Sequence, residues 1–345
     1  MTEEKLTSID SLGEFGLIEH LTKNFNTKNK STIKSFGDDA AIIDSNGKQI
    51  VATTDVLVEG IHFDRAYTPL KHLGYKAVVV NLSDIYAMNA QPKQILVSIA
   101  VSAQYSVEAL DELYTGIHLA CEKYGVDLVG GDTTSSRSGM FLNITAIGEV
   151  EPEKIVYRNG AQDNDLICVS GNLGAAYMGL QLLIRENEVF KSNPQMQPQL
   201  EGYDYVLEKQ IKPEARKDII DLLEKIKIQA SSMIDISDGL SSEILHICKA
   251  SEKGCVLYED KIPIADETKK LGEEFNLTPT IAALNGGEDY ELLFTVPLKY
   301  ADIIQRYPEI SIIGHITPKE KGTYLMSNDD KYFPLEAQGW NMRQD

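Results

Sequence analysis

Asp235-Ile236-Ser237-Asp238-Gly239-Leu240 sets two carboxylates and a hydroxyl between an apolar run and a helical pattern. Upstream, Met233-Ile234 reads as the end of a buried strand. Downstream, Leu240, Ile244, Leu245 and Cys248 recur at helical spacing. A strand that ends in carboxylates and turns at a glycine into a helix suits metal and phosphate, because amides at a helix start face anions and carboxylate oxygens suit hard cations. Four other stretches have the same character: Gly37-Asp38-Asp39-Ala40-Ala41, Thr53-Thr54-Asp55, Asn81-Leu82-Ser83-Asp84 and Gly130-Gly131-Asp132-Thr133. The expectation is that all five converge on one site for several metal ions and a polyphosphate.

The bulk properties restrict the partners. A chain of 345 residues suits about two domains, and its 43% hydrophobic and 25% charged content is that of an ordinary globular protein. The net charge of −19 argues against nucleic acid and anionic membrane. It also means that an anionic ligand needs cations as a bridge. Cys121, Cys168, Cys248 and Cys255 form no C-x-x-C pair and sit in apolar runs, as small core residues in a reducing compartment do. The start, Met1-Thr2-Glu3-Glu4-Lys5, has neither the basic nor the apolar part of a signal peptide. No run approaches the ~18 apolar residues that span a bilayer. A cytoplasmic protein is expected.

Along the chain, Ser11 and Glu14 form a possible capping box for a short helix carrying Phe15, Ile18 and Leu21. Asn24 to Lys34 reads as a loop. Ala40 to Ile43 and Gln49 to Thr53 read as a hairpin turned at Asn46-Gly47, with the acidic pair and Thr54-Asp55 at strand ends. Thr68-Pro69 starts a helix that runs to Ala87, with Leu73, Ala77, Val80, Asp84 and Ala87 on one face. Asp84 is therefore a carboxylate on an apolar stripe, and burying it calls for a cation or several donors. Ile95 to Val101 is a strand, and Ser106 opens a helix whose apolar stripe is Leu110, Leu113, Ile117 and Cys121, with Tyr114 off that stripe. Asp127 to Val129 is a brief strand leading into the glycine pair, and Phe141 to Val150 is another strand. Glu151-Pro152-Glu153-Lys154 breaks the pattern and marks the domain boundary.

In the second half, Asp165 to Ser170 reads as a strand. Gly171-Asn172-Leu173-Gly174 then enters a helix through Leu183, like a phosphate loop without its lysine. Glu186 to Gly202 reads as a loop, Pro213 opens a helix to about Lys227, and the helix after Asp238 ends at Gly254. Strands follow at Cys255 to Tyr258, Glu291 to Val296, Ile310 to Gly314 and Thr323 to Met326. Helices alternate with short strands throughout, which suits two α+β domains better than one doubly wound sheet.

Phosphoryl transfer needs charge neutralisation more than covalent chemistry, and Mg²⁺ takes carboxylates, waters and phosphate oxygens. Asp38, Asp55, Asp84, Asp132, Asp235 and Asp238 are candidate ligands, with oxygen from Thr53, Thr54 and Ser237. There is no kinase Gly-rich loop, P-loop, zinc spacing or G-x-S-x-G turn. Of six histidines, only His62, in Glu59-Gly60-Ile61-His62-Phe63, stands beside a candidate motif. No covalent nucleophile is evident, and no histidine shows an activating partner.

Taken in order, Gly13-Glu14-Phe15, the Asp38, Asp55, Asp84, Asp132 and Asp235–Asp238 stretches, Gly60-Ile61-His62-Phe63 and Gly286-Gly287-Glu288-Asp289-Tyr290-Glu291-Leu292 resemble the thiamine-monophosphate kinase family. That family belongs to the aminoimidazole ribonucleotide synthetase (PurM-like) superfamily, and the resemblance covers nearly the whole chain. It implies an N-terminal PurM-like domain, residues 1–152, that binds ATP and Mg²⁺ and dimerises. A C-terminal PurM-like domain, residues 153–345, completes the phosphate and substrate site. It implies a homodimer with nucleotide bound across the N-domain interface, and transfer of the γ-phosphoryl of ATP onto thiamine monophosphate. By the same resemblance, several Mg²⁺ ions are held by Asp38, Thr53, Thr54, Asp55, Asp84, Asp132, Asp235 and Asp238. ATP meets Tyr114, Gly131, Asp132, Arg158 and Ser237, and substrate meets His62, Glu288 and Trp340. After Gly339-Trp340 the chain runs Asn341-Met342-Arg343, where the family ending carries a histidine. A sibling synthetase acting on a purine intermediate or on selenide is the alternative enzyme. Against the selenide enzyme, no Cys precedes Cys121. A non-catalytic divalent-cation binder would explain the acidic loops but not the glycine pairs beside them.

Overall fold

The computed structural model describes residues 20–34, 42–43, 45 and 47–337. They form two compact units, one of the residues up to Ile85 with Ala90–Glu153, the other of Tyr86–Asn89 with those from Lys154 onward.

The first unit is built on a four-stranded sheet of β3 (Gln49–Val58), β6 (Met140–Val150), β4 (Gln91–Val101) and β5 (Asp127–Ser135), in that spatial order. The β4–β5 pair is parallel and the others antiparallel. Helix α1 (Leu70–Ala87) precedes β4, and α2 (Val107–Tyr124) makes the crossover from β4 to β5. Two local signals delimit α2. The Ser106 hydroxyl accepts from the Ala109 amide, a cap that contributes about 1 kcal/mol, and Gly125 ends the helix in the left-handed region at φ 69°. The two helices touch backbone to backbone. A methyl group on Gly74 would lie 2.0 Å from the Leu113 carbonyl oxygen, and one on Gly116 would lie 1.8 Å from that of Lys71.

One face of the sheet is closed and the other open. Leu57, Leu142, Ile144, Ala146, Val97 and Ile99 share the closed face and are buried. The opposite set includes Thr54, Val56, Phe141, Asn143 and Asp132. There Val56 is 48% and Phe141 42% exposed, so apolar side chains on this face stand in water.

The second unit holds a seven-stranded sheet. Its order is β13 (Tyr332–Pro334), β12 (Thr323–Met326), β9 (Lys253–Tyr258), β11 (Ile310–Pro318), β7 (Leu166–Ser170), β10 (Leu292–Val296) and β8 (Ser232–Asp235). Only β9–β12 is a parallel pair. The helix α6 (Leu240–Ser251) packs Leu240, Ile244 and Ile247 against Ile167, Val169, Ile234 and Leu293. A second cluster joins α3 (Ala175–Ser192) to α4 (Asp204–Ile211) through Met178, Leu182 and Val206. Helix α5 (Lys217–Lys225) follows α4, and α7 (Asp266–Glu274) and α8 (Pro279–Asn285) complete this side. The architecture is the expected α+β, with two mixed sheets. All four cysteines are free and buried. No helix among the described residues is long and apolar enough to cross a membrane.

Several local expectations give way to longer-range pairing. The strand Ile42–Ile43 (β2) does not pair with β3. It pairs with Thr32–Lys34 (β1), inside the stretch read as a loop, while β3 runs on to Val58 and pairs along its whole length with β6. Ten register positions outweigh what a two-residue partner offers, so Thr54 and Asp55 lie within a strand and not at its end. The stretch Gly130 to Thr134 is likewise inside β5, because β4 supplies a parallel partner as far as Ser135. Tyr114 belongs to the buried face of α2, since this helix is packed over more of its circumference than one stripe. Helix α3 continues to Ser192 into the presumed loop, and Pro213 separates α4 from α5 instead of opening a helix. Helix α6 stops at Ser251, as Lys253 and Gly254 are needed by β9. Ser11, Glu14 and the Gly37–Ala41 stretch lie outside the described residues.

Candidate active site

In the first unit the acidic groups are held by α1 and β3. Thr53 and Asp55 stand two apart on the closed face, and Asn81 and Asp84 three apart on one side of α1. The Thr53 hydroxyl donates to Asp84 Oδ2 at 2.6 Å, and the Asp55 amide donates to Asn81 Oδ1 at 3.0 Å. Burial, and then the charge of Asp84, push the Asp55 carboxyl up to about 6. Two carboxylates near enough to resist joint ionisation make a place where a cation is favoured. Asn81 thus anchors the strand of Asp55, and its place three residues before Asp84 on the helix is the sequence signal for that role.

The other expected groups of this unit are distributed differently. The Thr54 hydroxyl lies 3.0 Å from that of Thr145 and accepts from Asn143, on the open face. Asp132 is exposed on the same open face and at the far edge, since β3 and β5 are the two outer strands. The absent side chain of Gly131 makes room for β4: a methyl group there would lie 1.7 Å from the Val97 carbonyl oxygen. His62 is exposed, and its Nδ1 accepts from the Val58 amide at 3.1 Å, so the neutral ring carries its proton on Nε2. Tyr114 lines a cavity of about 390 Å³ with His20, Phe25, Asp111 and His118. There His20 Nε2 lies 2.8 Å from Asp111, a partnership that the sequence did not disclose.

In the second unit two motifs fifty residues apart become neighbours. The Ile236 amide donates to the Glu291 carbonyl, the Glu288 amide to that of Ser237 at 2.7 Å, and the Tyr290 amide to that of Ile236 at 2.8 Å. Gly287 (φ 72°) permits this approach, because a methyl group there would lie 2.5 Å from the Ser237 carbonyl oxygen. Asp235 is buried at the end of β8, whereas Ser237 and Asp238 are exposed. Glu243, which sequence reading passed over, lies beneath them. Its Oε1 accepts from the Asp238 amide at 3.2 Å, and burial together with Asp238 and Asp235 pushes it up to about 8. An acid in the first turn of α6 was the available signal.

The three acids after Gly287 have three different surroundings. Asp289 is buried and accepts from the Gly174 amide at 2.7 Å and from that of Ala176. The resemblance to a phosphate loop is thus answered from within, by a carboxylate at the start of α3. Glu291, 1% exposed, takes Lys209, Arg216 and the Ser170 hydroxyl. Glu288 is half-buried, and Gln210 Nε2 donates to it at 2.9 Å. Arg158 is exposed near the start of this unit, its carbonyl accepting from the Ser251 hydroxyl. Asp38 and Trp340 lie outside the described residues.

Residues 37–150 match the AIR synthase related protein, N-terminal domain, and residues 163–326 match its C-terminal domain. The thiamine-monophosphate kinase of Aquifex aeolicus (strain VF5) is 36% identical over 333 residues, 96% of this chain and 98% of that one. That of Bacillus subtilis (strain 168) is 33% identical over 336 residues, 96% and 99% of the two chains. The chain belongs to the thiamine-monophosphate kinase family. Among solved structures, AaThiL complexed with AMPPCP and TMP superposes with a TM-score of 0.74 at 32% identity, covering 97% of this chain and 98% of that one. The two-domain PurM-like fold and the membership in a family of phosphotransferases are therefore as the motif order implied.

The fit to Mg²⁺ can be tested on the donors themselves. Among the described residues, no group of three or more His, Cys, Asp or Glu is placed to hold an ion. Mg²⁺ at nucleotide sites is held by one or two carboxylates, completed by water and phosphate oxygens, and not by a full protein cage. The Asp55–Asp84 pair, with the Thr53 hydroxyl beside it, is a donor set of that kind.

Proposed function

We propose that the protein transfers the γ-phosphoryl group of ATP onto thiamine monophosphate, forming thiamine diphosphate, in the last step of that cofactor's synthesis. One observation carries the reading: likeness over 97% of the chain to AaThiL, a protein complexed with AMPPCP and TMP. The N-terminal domain, residues 1–152, binds ATP and Mg²⁺ and dimerises; the C-terminal domain, residues 153–345, contributes the remaining phosphate and substrate contacts.

Asp38, Thr53, Thr54, Asp55, Asp84, Asp132, Asp235 and Asp238 would hold Mg²⁺. When bound, Mg²⁺ supplies the positive charge that lets two anions approach. Thr53 and Asn81 hold Asp84 and the strand bearing Asp55 in register. Tyr114, Gly131, Asp132, Arg158 and Ser237 bind ATP, and His62, Glu288 and Trp340 bind the substrate. The acceptor is itself a phosphate oxygen, already anionic near neutral pH, so the chain need only orient it in line. No covalent nucleophile takes part: the thiols are buried, and burial pushes those of Cys121 and Cys168 up.

The open face of the first sheet is where a homodimer would form. Asp55 and Asp132 lie on opposite faces and at opposite edges of one sheet, three strand spacings or about 14 Å apart. A second copy laid on the open face covers Val56 and Phe141 and faces Asp132, while Asp55 stays on the closed side.

A coupled assay for ADP release with thiamine monophosphate, and with aminoimidazole-synthetase substrate in its place, tests the reading. Turnover is expected with the first alone; turnover with the second alone would replace this activity by the sibling one. Inversion at phosphorus with chiral γ-phosphorothioate ATP is expected for direct transfer, and retention would require a phosphorylated enzyme.

A further inference from the structure

We infer that Gln210 is a positioning residue that aims the Glu288 carboxylate at the cationic end of the substrate. The inference rests on the assignment of Glu288 to thiamine monophosphate and goes beyond it. Glu288 and Tyr290 have positive φ, 59° and 52°, in a stretch where neither is glycine. Such conformations persist only where their surroundings impose them. For the backbone of Glu288 the surroundings are the Ser237 carbonyl. For its side chain they include Gln210, on the last turn of α4, whose Nε2 donates to Glu288 Oε2.

The neighbouring acids show why Glu288 needs such a device. Asp289 is committed to the start of α3, and Glu291 to Lys209 and Arg216. Both are buried, whereas Glu288 is half-buried and can reach a ligand. Gln210 itself is 6% exposed, so its side chain has little freedom to follow a moving partner. An amide is also the right chemical type. It fixes a carboxylate by a hydrogen bond without adding a charge of its own, which suits a carboxylate that is to meet the thiazolium or the aminopyrimidine amine. Lys209, one residue earlier on the helix, would have cancelled that charge; it is directed to Glu291 instead.

Two substitutions remove the two properties in turn, the donor and the absence of charge. Gln210→Leu keeps the bulk and removes the donor, and Gln210→Lys keeps a donor but neutralises the carboxylate. Each is expected to raise KM for thiamine monophosphate about tenfold, the scale of a hydrogen bond to a charged group. KM for ATP should change less than about twofold, and this split, with a thermal melt of each variant, distinguishes positioning from general unfolding. In a Glu288→Ala background, where KM for thiamine monophosphate is already raised, Gln210→Leu should add less than about twofold. An unchanged KM in Gln210→Leu overturns the inference. So does a rise of equal size with and without Glu288, or a parallel rise in KM for ATP. If Glu288→Ala alone leaves KM for thiamine monophosphate unchanged, the assignment of Glu288 fails first and the role of Gln210 fails with it.

Discussion

Asp84 is where the residue scale decides most. It stands on a helix buried over most of its surface, accepts from Thr53 and raises the neighbouring Asp55 by its charge. Asp84→Asn removes the charge but keeps the shape, and Asp132→Asn does the same on the open face. Each should lower turnover about a hundredfold or more, the scale of lost electrostatic stabilisation at a transition state. Millimolar Mg²⁺ should restore wild-type turnover after EDTA and fail to rescue either variant; near wild-type rates in both would remove these groups from the metal set. Asp289 gives a prediction of another kind. Burial, then Glu291, push it up from 3.8 to about 7, against the pull of the Gly174 and Ala176 amides and of Lys209. A carboxyl with a raised folded-state pKa binds a proton that the unfolded chain has released. Its stabilisation is therefore full below about 3.8 and is lost as pH rises towards about 7. Asp289→Asn should flatten that part of the Tm-versus-pH curve, and an unchanged slope would mean that Asp289 is ionised throughout.

At the scale of elements, the crossing of α1 and α2 connects packing to the site. Gly116 lies under Lys71 so closely that an added methyl group would meet its carbonyl oxygen at 1.8 Å. Gly116→Ala must push the helices apart, at a cost of about 3 kcal/mol in denaturant unfolding. Because α1 carries Asn81 and Asp84 towards β3, the same change should lower turnover by more than the loss of folded protein accounts for. Helix α2 was legible in the sequence, down to its Ser106 start, since caps and apolar spacing are local properties. Helix α4 was not. It has only Val206 and Gln210 buried, and its place depends on packing against α3 and on Lys209 meeting Glu291 from far along the chain.

For the whole molecule, the open face of the first sheet is the feature with the widest consequence. Its exposed Val56 and Phe141 flank Thr54, Asn143 and Thr145. Phe141→Glu places a charge on that face without touching the closed side. It should convert the proposed homodimer to monomer in sedimentation and lower ATP turnover at least tenfold. A variant that sediments and turns over as the wild type does would exclude this face as the interface.

Neighbouring residues alone were enough to place the family and most of the parts. The order of the acidic, glycine-flanked motifs pointed to the family, and hydrophobic spacing located α1, α2, α6 and most strands of the two sheets, though not β13. These are properties of neighbouring residues, and they do not depend on what the rest of the chain does. Tertiary structure decided which parts meet. Strand pairing is chosen by the best partner anywhere in the chain, so β3 took β6 and left β2 to β1. That choice put Asp55 and Asp132 on opposite faces, because alternation fixes a side chain only relative to its own strand. It was likewise packing that stitched Ile236–Ser237 to Glu288–Glu291 and set Gln210 on Glu288. Such contacts join residues tens of positions apart, and no local preference records them until the intervening chain has folded.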